Sequence, residues 1–189
     1  MYNRSISPLL LAAAVLLPAS AAWSQTWTNG NGNGVWSQDG NWSPPSFPNN
    51  PNAAAIISLD LAAPATINLD NPEIVLNNLV VGDSAGPTFG FTIAPGSGGQ
   101  LNFQRSLSAA DPSITSANGP NAITAPVVSD LARLTIGNTG GGSLTLSSLD
   151  RASGGVFRFS GAGGTTGTTV TPGGGLSSTN GIGNVFATY

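Results

Sequence analysis

The sequence predicts an all-β fold, arranged as a β-solenoid of the right-handed β-helix type with a tryptophan-rich cap at its amino-terminal end. Two observations lead to this prediction. Short apolar segments recur along the chain, and within them apolar and polar residues alternate with the period of a strand that has one buried face. Glycine, serine and proline fill the connections between them. Beyond residue 24, helix should be nearly absent, because no segment keeps a 3.6-residue period.

The predicted strands are short, and their centres lie about 10 to 12 residues apart, the spacing of an all-β protein with a turn after every strand. Alternation is clearest where Leu101 and Phe103 flank Asn102 and where Leu144 and Leu146 flank Thr145. A single strand cannot bury such a face alone, so the strands must stack. They lie at 56–59, 66–69, 79–81, 89–93, 101–103, 114, 122–124, 134–136, 144–146, 156–159 and 168–170.

A β-sandwich or jelly roll is the second architecture that would bury these strands. Sandwiches normally use longer strands joined by tight hairpin turns such as Asn-Gly. Most connections here are several residues long, for example 95–99, which suits the corners of a solenoid with two or three strands per coil. The solenoid is therefore the favoured architecture and the sandwich the alternative.

Residues 1–24 have the pattern of a secretory signal peptide. Arg4 gives a positive start, residues 9–17 form an apolar run, and small residues follow. The run is shorter than the roughly 20 residues that span a bilayer, which favours export over a membrane anchor. Cleavage is predicted after Ala21 or after Ser24, and the sequence does not decide between them. No later segment is long and apolar enough to span a membrane.

The composition argues against several classes of function. The chain has no histidine or cysteine, and its five basic residues are all arginine, so the usual catalytic bases, nucleophiles and metal ligands are missing. Without the signal peptide, four arginines face eight acidic residues, a formal charge of −4 that argues against nucleic acid binding. No catalytic residue, cofactor or metal is predicted, and the chain is predicted not to be an enzyme.

The remaining catalytic routes would be a pair of carboxylates acting on a glycosidic bond or an arginine base of a polysaccharide lyase. Nothing in the spacing singles out two carboxylates. The candidates are Asp60, Asp70, Glu73, Asp83, Asp111, Asp130 and Asp150, most of which lie beside turn-forming residues. The Asn-Gly run at 29–34 looks like a calcium loop only superficially, because Asp39 is the sole carboxylate nearby.

Three tryptophans lie close together among asparagine and glycine residues: Trp27, Trp36 and Trp42. Exposed indole faces in such a segment could stack on sugar rings. The alternative is that they fold over the first coil of the solenoid, whose open strand edges would otherwise invite aggregation. The second interpretation is favoured, because every solenoid needs a cap, and residues 25–52 are assigned to it.

Several motifs occur in an order that resembles a known family. They are a Trp-rich opening, strand-turn-strand patterns with Gly-x-Leu-Thr-Leu, and a closing Asn-Gly-Ile block, at 26–28, 34–37, 40–43, 122–127, 134–136, 142–147 and 180–189. This order resembles bacterial exported surface proteins with autotransporter-associated β-strand repeats, some of which end in a sorting tail of the PEP-CTERM type.

The resemblance implies a non-catalytic structural or adhesive protein that is secreted or held on the bacterial outer surface. Extracellular polysaccharide or cell-surface components are the expected partners. A carbohydrate-binding module is the alternative function, and a polysaccharide-degrading β-helix fragment is a weaker one. The expected organisation is a signal peptide (1–24), the cap (25–52), the strand repeats (53–160), and a Gly/Thr-rich segment that starts a continuing repeat (161–189). The chain is therefore expected to be an amino-terminal fragment.

Overall fold

The computed structural model describes residues 23–86, 88–105, 110–130, 133–139, 141–152, 155–161 and 168–170. These residues are nearly all β, with one turn of 3-10 helix (Asp39–Asn41) and no α-helix. The strands are β1 (Trp23–Trp27), β2 (Trp42–Ser43), β3 (Ala53–Ile57), β4 (Ala65–Asn68), β5 (Glu73–Leu76), β6 (Asn78–Val81), β7 (Phe91–Ala94), β8 (Gln100–Gln104), β9 (Ser113–Ser116), β10 (Pro120–Ile123), β11 (Val127–Asp130), β12 (Arg133–Asn138), β13 (Ser143–Leu146), β14 (Leu149–Arg151), β15 (Val156–Gly161) and β16 (Thr168–Val170).

Two predicted segments fall largely outside the described residues. Of the predicted signal peptide, only Trp23 and Ser24 are described, and they are the first two residues of β1. Of the predicted segment 161–189, only Gly161 and Thr168–Val170 are described, in β15 and β16.

The strands form three stacked sheets. Sheet A has the order β15-β12-β9-β6-β3-β1-β2, sheet B the order β16-β13-β10-β7-β4, and sheet C the order β14-β11-β8-β5. From β3 onward the chain visits A, B and C in turn and returns to A one coil further along, so each strand pairs in parallel with the strand three places later. The predicted β-solenoid is confirmed, with three strands per coil and about five coils.

The coils differ in length, which hides the repeat in the sequence. In sheet A, Ala54 pairs with Asn78, Asn78 with Ser113, Ser113 with Thr135, and Thr135 with Arg158. These steps correspond to 24, 35, 22 and 23 residues along the chain. The connections that follow β6 and β8 lengthen the second coil without shifting the register of the strands.

The core consists of aliphatic side chains stacked in columns along the solenoid axis. Parallel pairing in register places every second residue of a strand directly beside an inward residue of the next coil. Members of the three columns are at most 1% exposed: Ala55, Leu79, Ile114 and Ile136 in sheet A; Ile67, Ile93, Ile123 and Leu146 in sheet B; Ile74, Leu101, Val127 and Leu149 in sheet C. Burial of each large side chain contributes about 1.5–3 kcal/mol.

One buried polar side chain fixes the corner between sheets A and B. Asn121 is 1% exposed and lies in β10 beside Phe91 of the preceding coil. Its side-chain nitrogen donates to the carbonyl oxygen of Asn118 at 2.7 Å and to the hydroxyl of Ser116 at 3.0 Å, and its side-chain oxygen accepts the N–H of Phe91 at 3.0 Å. This amide therefore ties a turn of one coil to a strand of the previous one.

All eleven predicted strands overlap observed strands, but every described strand of sheet C except β8 lacks a predicted counterpart. The unpredicted strands β5, β11 and β14 span three or four residues. Each carries an acidic residue at an outward position, Glu73, Asp130 or Asp150, so little of each strand is apolar in sequence. Strands β1 and β2, at the amino-terminal end, were also unpredicted.

The two faces of β13 provide a direct test of the core. Replacing Leu144, which is fully buried, with alanine should lower the free energy of unfolding by about 2–5 kcal/mol, because it leaves a cavity in a core column. Thr145→Ala, on the outward face of the same strand, should change it by no more than about 0.5 kcal/mol. Equal losses in chemical denaturation would contradict the assigned faces.

Candidate functional site

The loop between β1 and β3, residues 28–52, lies across the amino-terminal end of the solenoid and is called the cap loop below. The first strand of each sheet has one edge that faces away from the following coils, so no later coil can pair with it. This edge is called the leading edge below. In sheet A, β2 of the cap loop pairs antiparallel with β1, with Thr26 beside Ser43 and Trp27 beside Trp42. An antiparallel strand therefore occupies part of the edge that another parallel coil would use.

The cap loop also contacts the leading edges of the other two sheets. In sheet B, the N–H of Trp36 donates to the carbonyl oxygen of Asn68 at 3.0 Å. The N–H of Asn68 donates to the carbonyl oxygen of Gly34 at 2.7 Å. In sheet C, the N–H of Val75 donates to the side-chain oxygen of Asn49 at 2.7 Å. One loop thus satisfies backbone groups on the leading edges of all three sheets.

Gly34 has a conformation that its neighbours require. Its φ is +65°, and a Cβ atom there would lie 2.6 Å from the carbonyl oxygen of Thr66. Only glycine allows the cap loop to approach β4 this closely with a left-handed backbone. The glycine of the Asn-Gly run at this position therefore permits the contact with sheet B.

The three clustered tryptophans lie inside the molecule, where they seal the end of the core. Trp27, Trp36 and Trp42 are 2%, 0% and 3% exposed. Their rings pack edge to face, with centroids 5.0 Å apart between Trp27 and Trp42 and 4.8 Å between Trp36 and Trp42. The Nε1–H of Trp42 donates to the carbonyl oxygen of Trp36 at 2.7 Å, and the Nε1–H of Trp36 donates to the carbonyl oxygen of Pro48 at 3.2 Å. The polar atom of each of these two rings is therefore satisfied within the cap loop.

This burial bears on sugar stacking, the other role considered for the three indoles. A sugar ring stacks on the exposed face of an aromatic side chain, and Trp27, Trp36 and Trp42 offer no such face in this arrangement. The fourth tryptophan, Trp23, is 59% exposed at the start of β1. Stacking by the clustered indoles would require the cap to open.

The Asn-Gly run is organised by one buried side chain, Asn41. Its side-chain oxygen accepts the N–H of Asn31 at 2.9 Å, and its side-chain nitrogen donates to Asn33 Oδ1 and to the carbonyl oxygen of Val35, both at 2.8 Å. Asp39 Oδ1 accepts the N–H of Phe47 at 3.0 Å. These oxygens already accept hydrogen bonds within the loop. Within the described ranges, no group of three or more His, Cys, Asp or Glu side chains is placed to hold a metal ion.

Asp70 fastens the cap loop to the first coil. Its Oδ1 accepts the N–H of Ser37 at 3.0 Å, and its second carboxylate oxygen accepts the Ser37 hydroxyl. The two residues are 33 positions apart, so sequence spacing did not connect them. Asp70 appeared only as a turn aspartate and a member of the carboxylate set. In the structure its carboxylate joins two parts of the chain.

Two other carboxylates of the predicted set also have local partners. Asp83 is 3% exposed and its Oδ1 accepts the N–H groups of Ala85 at 3.0 Å and Leu61 at 3.4 Å. Asp111 lies between two arginines, with Arg105 at 3.5 Å and Arg133 at 3.9 Å. Both arginine side chains are more than half exposed, so these ion pairs stabilise the fold only weakly.

The outward face of sheet C gathers Glu73, Asp130 and Asp150. Glu73 accepts hydrogen bonds from Asn102 at 2.8 Å and Gln100 at 3.2 Å. Asp130 accepts one from Gln104 at 3.5 Å, and Asp150 accepts one from Ser148 at 3.1 Å. Every carboxylate that belongs to a described strand therefore lies in this one sheet.

Register sets the separation of these carboxylates. Glu73 pairs with Gln100 and Asp130 with Gln104, four residues along β8, and β5 and β11 lie on opposite sides of β8. The backbones of Glu73 and Asp130 are therefore about 16 Å apart, too far for a glycosidase pair. Asp150 pairs with Val128, two residues before Asp130, so their backbones are about 8 Å apart. Asp130 and Asp150 are consequently the pair to replace in any test for hydrolysis.

The outward face of sheet A carries an open groove of about 230 Å³. Gly137 lies in its lining beside Thr115, Thr135 and Ser160, and no lining residue is charged. A side chain at Gly137 would meet the Ser160 carbonyl oxygen at 2.9 Å. The groove therefore offers hydroxyl groups and no acid or base.

Among the described residues, no helix is long and apolar enough to cross a membrane. Comparison with protein-family models, curated proteins and solved structures finds no match for this chain. The family resemblance of the motifs accordingly stays a prediction.

The tryptophan cluster predicts a large stability effect. Trp36→Ala should lower the free energy of unfolding by about 3–5 kcal/mol, because a fully buried indole leaves a cavity and an unpaired carbonyl oxygen at Pro48. Chemical denaturation measures the loss, and light scattering should show aggregation through the loosened leading edges. Trp23→Ala is the matched control and should shift the free energy by about 0.5 kcal/mol or less. A Trp36→Ala chain as stable as the parent would show that the cluster does not hold the cap.

The link between Asp70 and Ser37 gives a second test of cap attachment. Asp70→Ala should lower the free energy of unfolding by about 1–3 kcal/mol, since it leaves the N–H and hydroxyl of Ser37 without their acceptor. Asp60→Ala, at an exposed aspartate on the preceding connection, between β3 and β4, is the control for loss of one negative charge. If both variants unfold at the same denaturant concentration, the carboxylate does not anchor the cap loop.

Proposed function

We propose that this chain is a non-catalytic scaffold segment, exported to the bacterial cell surface or the surrounding matrix, whose solenoid starts at the cap loop. The observation that carries the proposal is the use of the aromatic and amide side chains of the cap. Trp27, Trp36 and Trp42, the residues that most resemble a binding site in sequence, pack within the end of the solenoid, and Asn41 holds the adjoining Asn-Gly run by hydrogen bonds. Their role is to terminate a stack of strands.

The outward rows of sheet B support a structural or adhesive role. Register places Thr66 beside Thr92, Thr92 beside Ala122, and Ala122 beside Thr145. No charged residue occurs in β4, β7, β10, β13 or β16. A repeated row of hydroxyl and methyl groups without charge suits contact with an extended neutral polymer, so extracellular polysaccharide is the partner we propose for this face.

Export is supported by the apolar run at 9–17 and the small residues after it. The absence of cysteine from the whole sequence means that the solenoid needs no oxidative step after export. The motif order that resembles autotransporter-associated repeat proteins favours the bacterial outer surface or the extracellular space as the destination.

The proposal is tested with the purified chain beginning at Ala22. On a glycan array and in pull-down with insoluble polysaccharides, we expect weak binding that Thr92→Glu and Thr145→Glu reduce at least threefold, because carboxylates disrupt a neutral face. Thr115→Glu, on the outward face of sheet A, is the matched control. We expect no release of reducing sugar from a polysaccharide panel.

Two results would overturn the proposal. Hydrolysis that disappears in the Asp130→Asn or Asp150→Asn variant would make the chain an enzyme. Tight binding to one defined oligosaccharide, lost in Trp42→Ala while the circular dichroism spectrum stays native, would make it a carbohydrate-binding module that uses the cap.

A further inference from the structure

Strand β1 begins between the two positions at which the signal peptide is predicted to be cut. Cleavage after Ala21 would leave the whole strand in the mature chain, whereas cleavage after Ser24 would remove its first two residues. Small residues precede both positions, so the sequence alone leaves them equivalent. The folded strand separates them.

The first two residues of β1 belong to the ladder with the first coil. Trp23 pairs with Ala53, Ser24 with Ala54, Gln25 with Ala55, and Thr26 with Ile56. A cut after Ser24 deletes two of these four paired positions. The antiparallel pairing with β2 involves only Thr26 and Trp27, so it cannot replace the lost part of the ladder.

The new amino terminus would also lie in different surroundings. After a cut behind Ser24, the chain would start at Gln25, an inward position of β1 that is 2% exposed in the uncut chain. The α-ammonium group would then stand beside a buried position, which is less favourable for a charge than open solvent. After a cut behind Ala21, the charge would sit on Ala22, next to Trp23, which is 59% exposed.

We infer that the signal peptide is removed between Ala21 and Ala22, so that the mature protein begins at Ala22 and keeps β1 whole. This inference rests on the proposed export of the chain. Signal peptides are cleaved from an extended segment, so the folded strand does not block the enzyme. The choice of bond instead determines whether the first strand of the solenoid can form completely.

The test is expression of the full chain with a carboxyl-terminal tag in a Gram-negative bacterium, followed by intact mass and amino-terminal sequencing of the non-cytoplasmic protein. The expected first residue is Ala22. A first residue of Gln25 would overturn the cleavage inference and leave export intact. If the parent chain keeps Met1 and stays in the cytoplasm, both the cleavage inference and the proposed export are overturned. Leu11→Arg is the control for that outcome, because it interrupts the apolar run and should keep the chain unprocessed.

A pair of variants distinguishes the two bonds independently. Ala21→Leu places a bulky residue before the inferred bond and should abolish the product that begins at Ala22. Ser24→Leu changes the alternative bond, at a residue whose side chain is exposed, and should leave that product at parental yield. Loss of processing in Ser24→Leu, with normal processing in Ala21→Leu, would assign the cut to the other bond.

The structural reasoning has its own measurement. Chains that begin at Ala22 and at Gln25 can be released from a fusion by a protease that leaves no extra residue. The shorter chain should unfold at a clearly lower denaturant concentration, whereas the longer chain with Trp23→Ala should keep the parental midpoint. Equal midpoints for the two chain lengths would show that Trp23 and Ser24 do not contribute to the ladder and would remove the basis of the inference.

Discussion

Backbone hydrogen bonding between successive coils is the interaction on which the rest of this structure depends. Apart from the β1–β2 pair, every ladder between the described strands runs from one coil to the next, because neighbouring strands of the chain lie in different sheets. The backbone groups of a strand are therefore satisfied mainly by the neighbouring coils, and each buried group left unpaired costs about 1–3 kcal/mol. This dependence aligns the aliphatic columns, since register fixes which side chains lie together, and it leaves the first described coil with leading edges that no other coil pairs.

The cap loop covers this end of the stack in two ways. Antiparallel β2, the backbone of Gly34 and Trp36, and the Asn49 amide satisfy groups on the leading edges, while the indoles close the end of the core. Trp27 is itself part of β1, so the aromatic end of the core begins within the first strand of sheet A. Large edge-to-face rings cover more of the column ends than aliphatic side chains would, which explains why three of the four tryptophans are concentrated here.

The sequence was sufficient for the repeated part of the fold, because most strands of sheets A and B alternate apolar and polar residues. It was insufficient for β5, β11 and β14 of sheet C, which span three or four residues and carry Glu73, Asp130 and Asp150 at outward positions. It identified the tryptophan cluster through composition, yet could not show whether the rings point inward. The hydrogen bonds between Asp70 and Ser37 could not be predicted from the sequence, since they depend on where the chain returns after one coil.

The distribution of charge among the sheets follows from the same geometry. Parallel stacking places equivalent outward positions of successive coils side by side. If the same charged residue recurred at one position in every coil, like charges would lie one strand spacing apart, about 4.8 Å. The chain avoids this repulsion: sheet B is uncharged in its described strands, and in sheet C the carboxylate of Glu73 lies beside the amides of Gln100 and Asn102. Amides between carboxylates let the outward face of sheet C carry negative charge without placing carboxylates side by side, while sheet B stays uncharged on another face of the same coil.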